Sequence, residues 1–262
     1  MPLNFPIVED VHLANAPLRE VICQVRFPIL LRIAHEEPAA LQERIRARFP
    51  MLETERGVVI EMEQSKPGGR AGFSPSVYRF HNPDKTCTVS LAPDFYALST
   101  TSYRHWADFA DHLACTADAV HDVYATPYAT RIGLRYINVL DCTFSPSGAF
   151  DRVLDLLRGE LTVMLKTDAI LSPELAMQRI QATTGEDRFV FRYGLFHEGT
   201  PPEPRFMLDF DLYTEGNINL DGLLARCDRY HRIIYSAFRW CIADGKLDVF
   251  QPELTTGSEA RL

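Results

Sequence analysis

The sequence predicts an α+β protein made of two tandem β-α-β-β-(β)-α units, whose strands join into one pseudo-twofold, largely antiparallel sheet covered by long helices. Three observations carry this. Cys23-Gln24-Val25-Arg26-Phe27 is echoed by Ile132-Gly133-Leu134-Arg135-Tyr136, and Val77-Tyr78-Arg79-Phe80 by Val190-Phe191-Arg192-Tyr193, at separations of 109 and 113 residues. Each half closes on a long amphipathic stripe, and no low-complexity linker divides the halves. The expected units are residues 1–127 and 128–254, packed as one globular body, with 255–262 as a flexible tail.

Along the first unit, residues 1–14 read as a lead-in and Asn15-Ala16-Pro17 as a turn. Val21, Cys23, Val25 and Phe27 then alternate with Glu20, Ile22, Gln24 and Arg26, the period of a strand with one buried face. Over 36–49 the period changes: Pro38 sits in a first turn and Leu41, Ile45 and Phe49 recur every four residues, which predicts a helix stopped by Pro50. Strands are expected at 58–63, 76–81, 86–92 and 95–101, the last three joined by the turn sequences Asn82-Pro83-Asp84 and Ala92-Pro93-Asp94. Trp106, Phe109, Leu113, Ala117, Val120 and Tyr124 then keep a helical stripe, and Thr126-Pro127 closes the unit. In the second unit, strands are expected at 131–140, 174–182, 188–197 and 205–213, with a helix over 149–165. A long final helix over 220–243 has Asn219 as its N-cap.

Composition narrows the function classes. A chain of 262 residues that is 46% hydrophobic can bury a sizeable core. A formal net charge of −8 disfavours a protein that holds duplex DNA by general phosphate attraction, which needs a basic footprint. Six cysteines at 23, 87, 115, 142, 227 and 241 show no metal-ligand spacing and read as reduced core residues, in keeping with a cytoplasmic location. The start lacks a secretory pattern, and no apolar run approaches the roughly 20 residues that span a bilayer, so no membrane partner is expected.

The Asn15-Ala16-Pro17-Leu18-Arg19-Glu20-Val21 start, the 131–138 strand Arg-Ile-Gly-Leu-Arg-Tyr-Ile-Asn, the Leu208-Asp209-Phe210-Asp211 strand and the closing helix with His231 and Phe238 resemble a sporadically distributed prokaryotic family of unknown function, of about this length. The resemblance covers nearly the whole chain. It implies a bacterial or archaeal protein whose scattered occurrence suits mobile or defence-linked genes, and it supplies no catalytic residues.

The candidate ligand residues are therefore argued from spacing. Arg131, Gly133 and Arg135 share one strand face, and a glycine between two guanidiniums leaves room for a planar or phosphorylated ligand. With Arg26 and Arg192 they would form a saddle of cations. The bland reading, cross-strand pairing with carboxylates, is the more economical one on an acidic protein. Asp209 and Asp211, two apart on a strand, place two carboxylates on one face as a divalent ion or an acid/base pair would require. Without a third acidic ligand at a telling spacing, their expected role is to neutralise Arg135 or Arg192. His112 and His231 lie in the terminal helices of the two units and could form a symmetric pair, but a lone histidine beside an apolar stripe is usually a satisfied core residue. Glu61, Glu63 and Lys66 only faintly match the strand residues of triphosphate-tunnel enzymes, and the Lys66-Pro67-Gly68-Gly69-Arg70 loop could cradle an anion through its amides or simply be a surface turn. P-loop, dinucleotide-binding and H-E-x-x-H patterns are missing, so no cofactor is expected. The reading is a non-catalytic binding or regulatory module that recognises another protein or a phosphorylated small ligand in a defence or toxin-neutralising system. The alternative is a metal-assisted phosphotransfer or hydrolytic enzyme using Asp209 and Asp211.

Overall fold

The computed structural model of the chain describes residues 3–6, 8–55, 58–61, 70–73, 77–145, 147–167, 169–170 and 172–253. In chain order the elements are β1 (His12–Leu13), β2 (Leu18–Arg26), α1 (Leu31–His35), α2 (Ala39–Ile45), β3 (Met51–Glu55), β4 (Val58–Glu61), β5 (Arg70–Phe73), β6 (Val77–His81), β7 (Cys87–Ala92), β8 (Phe95–Thr100) and α3 (Trp106–Tyr124). There follow β9 (Ala129–Leu140), α4 (Phe150–Leu154), α5 (Gly159–Thr162), β10 (Ala176–Thr184), β11 (Asp187–Glu198), β12 (Glu203–Ile218), α6 (Leu223–Cys241) and β13 (Pro252–Glu253). The class is α+β. Nine strands form one antiparallel sheet in the order β10-β11-β12-β9-β2-β8-β7-β6-β3, while β1 pairs with β13 and β4 with β5. Glu63, the residues from Lys66 to Gly69 and the 255–262 tail lie outside the described residues.

Alternation decides which face is buried. Val21, Cys23 and Val25 of β2 pair in register with Tyr136, Leu134 and Ile132 of β9, and all six are buried. The two long helices cover this side. On α6, Cys227, Tyr230, His231, Ile234, Phe238 and Cys241 recur at helical spacing and are buried, and Cys227 Sγ lies 3.6 Å from Cys23 Sγ. On α3, Phe109, Leu113 and Val120 join the same core. The opposite face carries Arg26, Arg131, Arg135, Asp209, Asp211 and Arg192. No helix among the described residues is long and apolar enough to cross a membrane.

Several expected elements take a different form. The helix over 149–165 is broken into α4 and α5, because Leu157 forms a β-bridge with Ile242 and the Arg158 amide donates to the Cys241 carbonyl. The 36–49 helix is shortened to α2, and Pro50 precedes β3, a strand that the sequence did not suggest. Asn219 does not cap α6. Gly222 holds that position, and the Asn219 side chain accepts from the Asp221 amide in the preceding turn. The two sequence echoes also occupy unlike places: β2 and β9 are neighbours, whereas β6 lies three strands from β2 and β11 two from β9.

Candidate functional site

The arginines singled out in the sequence meet on one sheet face and find carboxylates there. Asp209 is completely buried and accepts three charge-assisted bonds: from Arg135 Nε at 2.7 Å, Arg135 Nη2 at 2.8 Å and Arg192 Nη1 at 3.0 Å. Asp211 instead accepts from Arg131 Nη2, at 3.0 and 3.1 Å on its two oxygens. Burial pushes the Asp211 carboxyl up despite the attraction of Arg131, Arg135 and Arg192. The room expected beside Gly133 is filled by the chain itself. The Arg131 guanidinium folds over the glycine, where an added Cβ would stand 2.5 Å from Nη1, and stacks 4.3 Å from the Tyr213 ring centroid. Arg26 shares the face and pairs in register with Arg131, but its guanidinium reaches Asp94 at 4.0 Å. Arg135, Arg192 and Asp209 thus form one ion-pair cluster and Arg131 with Asp211 a second on the same face, with Arg26 at the margin. Among the described residues no three His, Cys, Asp or Glu side chains gather as a metal would need.

On the other side of the sheet lies a cavity of about 480 Å³ between α3, α6, the middle of β9 and the N-terminal segment. Its size falls within the range of small-molecule sites. Its floor is aromatic. Trp106 and His231 stack with ring centroids 4.8 Å apart and planes 3° from parallel, and Tyr136 and Tyr103 meet edge to face at 5.6 Å. A hydrogen-bonded chain fixes the rings: Asp10 Oδ2 lies 2.9 Å from His231 Nε2, and His231 Nδ1 lies 2.8 Å from the Tyr136 hydroxyl. The bond from His231 holds the Asp10 carboxyl below its ordinary value, so it is ionised at neutral pH, accepts from Nε2–H and leaves Nδ1 to the tyrosine. Burial pushes both the Tyr136 and Tyr103 hydroxyls up.

Local sequence explains why these groups converge. His231 lies on the buried stripe of α6, and Tyr235, one turn on, clamps the N-terminal segment by accepting from the Val11 amide at 3.1 Å and donating to the Val11 carbonyl at 3.2 Å. That clamp carries Asp10 to His231. Tyr103-Arg104-His105 delivers the chain into α3 at the mouth of the cavity. There His12 Nδ1 takes a 2.8 Å hydrogen bond with the Arg104 carbonyl, the His12 and His105 rings lie 4.5 Å apart, and Glu253 stands 3.9 Å from His12. Arg104 forms no ion pair with a carboxylate among the described residues. The mouth continues into an outer hollow of about 460 Å³, where Thr101 and Ser102 add hydroxyls.

Of these groups, sequence reasoning reached His231 and Trp106 only as core residues. Trp106 is in fact half-buried and lines the cavity. His112 does not join His231; it packs edge-on against Phe49 beside Arg48. The one linear signal was the run Tyr103-Arg104-His105-Trp106, two aromatic and two basic side chains in succession at a helix start. No family model matches the chain, and no curated protein matches it.

Proposed function

We propose that this protein is a non-catalytic, ligand-recognising module, and that its ligand is a nucleotide-like molecule with a flat ring and a phosphate. The observation that carries the reading is the aromatic cavity with Arg104 at its mouth, a cation with no carboxylate partner among the described residues. A planar ring suits the Trp106 and Tyr103 floor, and a phosphate suits Arg104 with His12 and His105. Recognition is favoured over catalysis because both His231 nitrogens are engaged within the protein, by Asp10 and Tyr136, and burial raises both tyrosine hydroxyls. The oxygens of Asp209 and Asp211 already accept from guanidiniums, which weighs against metal-assisted phosphotransfer. A sensing component of a prokaryotic defence or toxin-neutralising system, as the family resemblance implies, would use such a site.

A duplication is part of the same proposal, and it rests on β2 and β9 alone, since β6 and β11 lie at unlike distances from them. Gln24 pairs with Gly133, and Arg26 and Arg135 each lie two residues beyond that pair on antiparallel strands, so a twofold axis through Gln24 and Gly133 would relate them. The test of function is calorimetric titration with a panel of 5′-mononucleotides, the matching nucleosides and inorganic phosphate, with and without magnesium. At least one nucleotide should bind tighter than its nucleoside. Arg104→Ala should remove that advantage, about tenfold for one charge-assisted contact, and Trp106→Ala should weaken both ligands. Equal affinity for nucleotide and nucleoside, or no binding of either, overturns the proposal. Binding that requires magnesium and fails in Asp211→Asn would instead favour the enzyme reading.

A further inference from the structure

Among the described residues the sheet ends on β10. No strand among the described residues pairs with its outer edge, and six of its nine residues are exposed and the other three half-buried, the pattern of a strand open on both faces. A free edge of this length is a template for another strand unless charge, proline or a bulge blunts it. The β10 sequence Ala-Met-Gln-Arg-Ile-Gln-Ala-Thr-Thr has no proline, lysine or acidic residue, and it pairs with β11 without a register shift. Exposed apolar side chains are also concentrated in and just before this strand in sequence. Of eleven large hydrophobics exposed among the described residues, six lie between Val163 and Ile180, including Leu175 at 68% and Ile180 at 49%. Ile180 is in register with the buried Phe191, so it sits on the core face where the helix layer stops short.

We propose that β10 pairs antiparallel with β10 of a second copy of this chain, about a twofold axis at Ile180. The pairing sets Ile180 against its own copy, Arg179 against Gln181, Gln178 against Ala182 and Met177 against Thr183. No like charges meet, and the one cation faces an amide that it already binds within the strand at 3.0 Å. Residues that face each other keep to one side of the sheet, so the two helix layers lie on the same side and the core stripe at Ile180 becomes continuous. The opposite edge does not suit this arrangement. In β3 the matching register sets Glu53 against Glu53. A second copy is therefore the occupant that the charges allow, and the interface is closed and isologous.

Sedimentation velocity with light scattering, over a concentration series of the full chain, provides the test. The expected result is a dimer of twice the chain mass with no larger species. Ile180→Lys, which places two ammonium groups face to face, should return a monomer with unchanged circular dichroism and melting temperature. Ile180→Cys under mild oxidation should trap a disulfide-linked dimer that the unsubstituted chain, with its own cysteines, does not form. A monomeric parent protein, a dimer unaffected by Ile180→Lys, or assembly that grows without limit each overturns the proposal.

Discussion

Replacing Asp209 with asparagine keeps the shape of a fully buried side chain and removes the charge that two arginines share. Three guanidinium bonds at 2.7, 2.8 and 3.0 Å then meet an amide that can accept on one atom only, so at least one N–H is left facing another donor. Stripping one partner from a buried ion pair typically costs about 3–5 kcal/mol. The Arg135 and Arg192 side chains are 39% and 32% exposed and can recruit water, which places the expected loss near the lower end, about 3 kcal/mol. For a chain of this size that is a fall in Tm of roughly 6–12 °C. Urea unfolding followed by far-ultraviolet circular dichroism should show the loss in the midpoint with an unchanged slope. Arg135→Gln alone should cost less, because Arg192 still neutralises Asp209, and the double variant should recover part of the Asp209→Asn loss. A loss below 1 kcal/mol would refute the view that the network holds the sheet centre, and would return these groups to candidacy as a ligand site.

Asp187 makes a second buried anchor, bonded to the Thr214 and Tyr230 hydroxyls and to Arg229. Burial alone would raise its carboxyl, but these bonds together hold it below its ordinary value near 3.8. A depressed carboxyl contributes stability that is complete above the unfolded value and lost as pH falls through the folded one, so Asp187→Asn should weaken the fold at pH 7 and flatten its acid limb below the ordinary carboxylate range. An unchanged acid limb would remove Asp187 from that role. Gly133→Ala should cost only about 1–2 kcal/mol, because the obstacle is the movable end of Arg131. Gly194→Ala should cost more than about 3 kcal/mol, since its Cβ would stand 1.9 Å from the Ala176 carbonyl oxygen and its φ is +142°, and amide exchange in β10 should quicken. Trp106→Ala should lose about 2 kcal/mol, less than a fully buried tryptophan would, because one side of the ring already faces the cavity.

The parts of the fold that were legible in the sequence are those where one period runs uninterrupted against one neighbour. The α3 stripe from Trp106 to Tyr124 and the alternation of Val21, Cys23 and Val25 are of this kind. The expected pairing with Arg135 or Arg192 holds for Asp209, whereas Asp211 bonds Arg131 instead. The break between α4 and α5 was hidden because it depends on a bridge to Ile242, more than eighty residues away, and local periodicity carries no trace of such a partner. The cavity was hidden for the same reason. Asp10, Arg104, Tyr136 and His231 come from four segments that only the strand order and the Tyr235 clamp bring together, and none of the three spacings between them is a motif.

The pairing of β1 with β13 has a bearing on when the cavity can exist. His12 and Glu253 face each other across a two-residue ladder, so one wall of the cavity is made some 240 residues before its counterpart. The nascent chain can assemble the β2 to β8 half while still attached to the ribosome, yet the pocket stays unroofed until α6 and β13 have emerged. A chain that stops short of Glu253 would keep its sheet strands and leave the cavity open on that side.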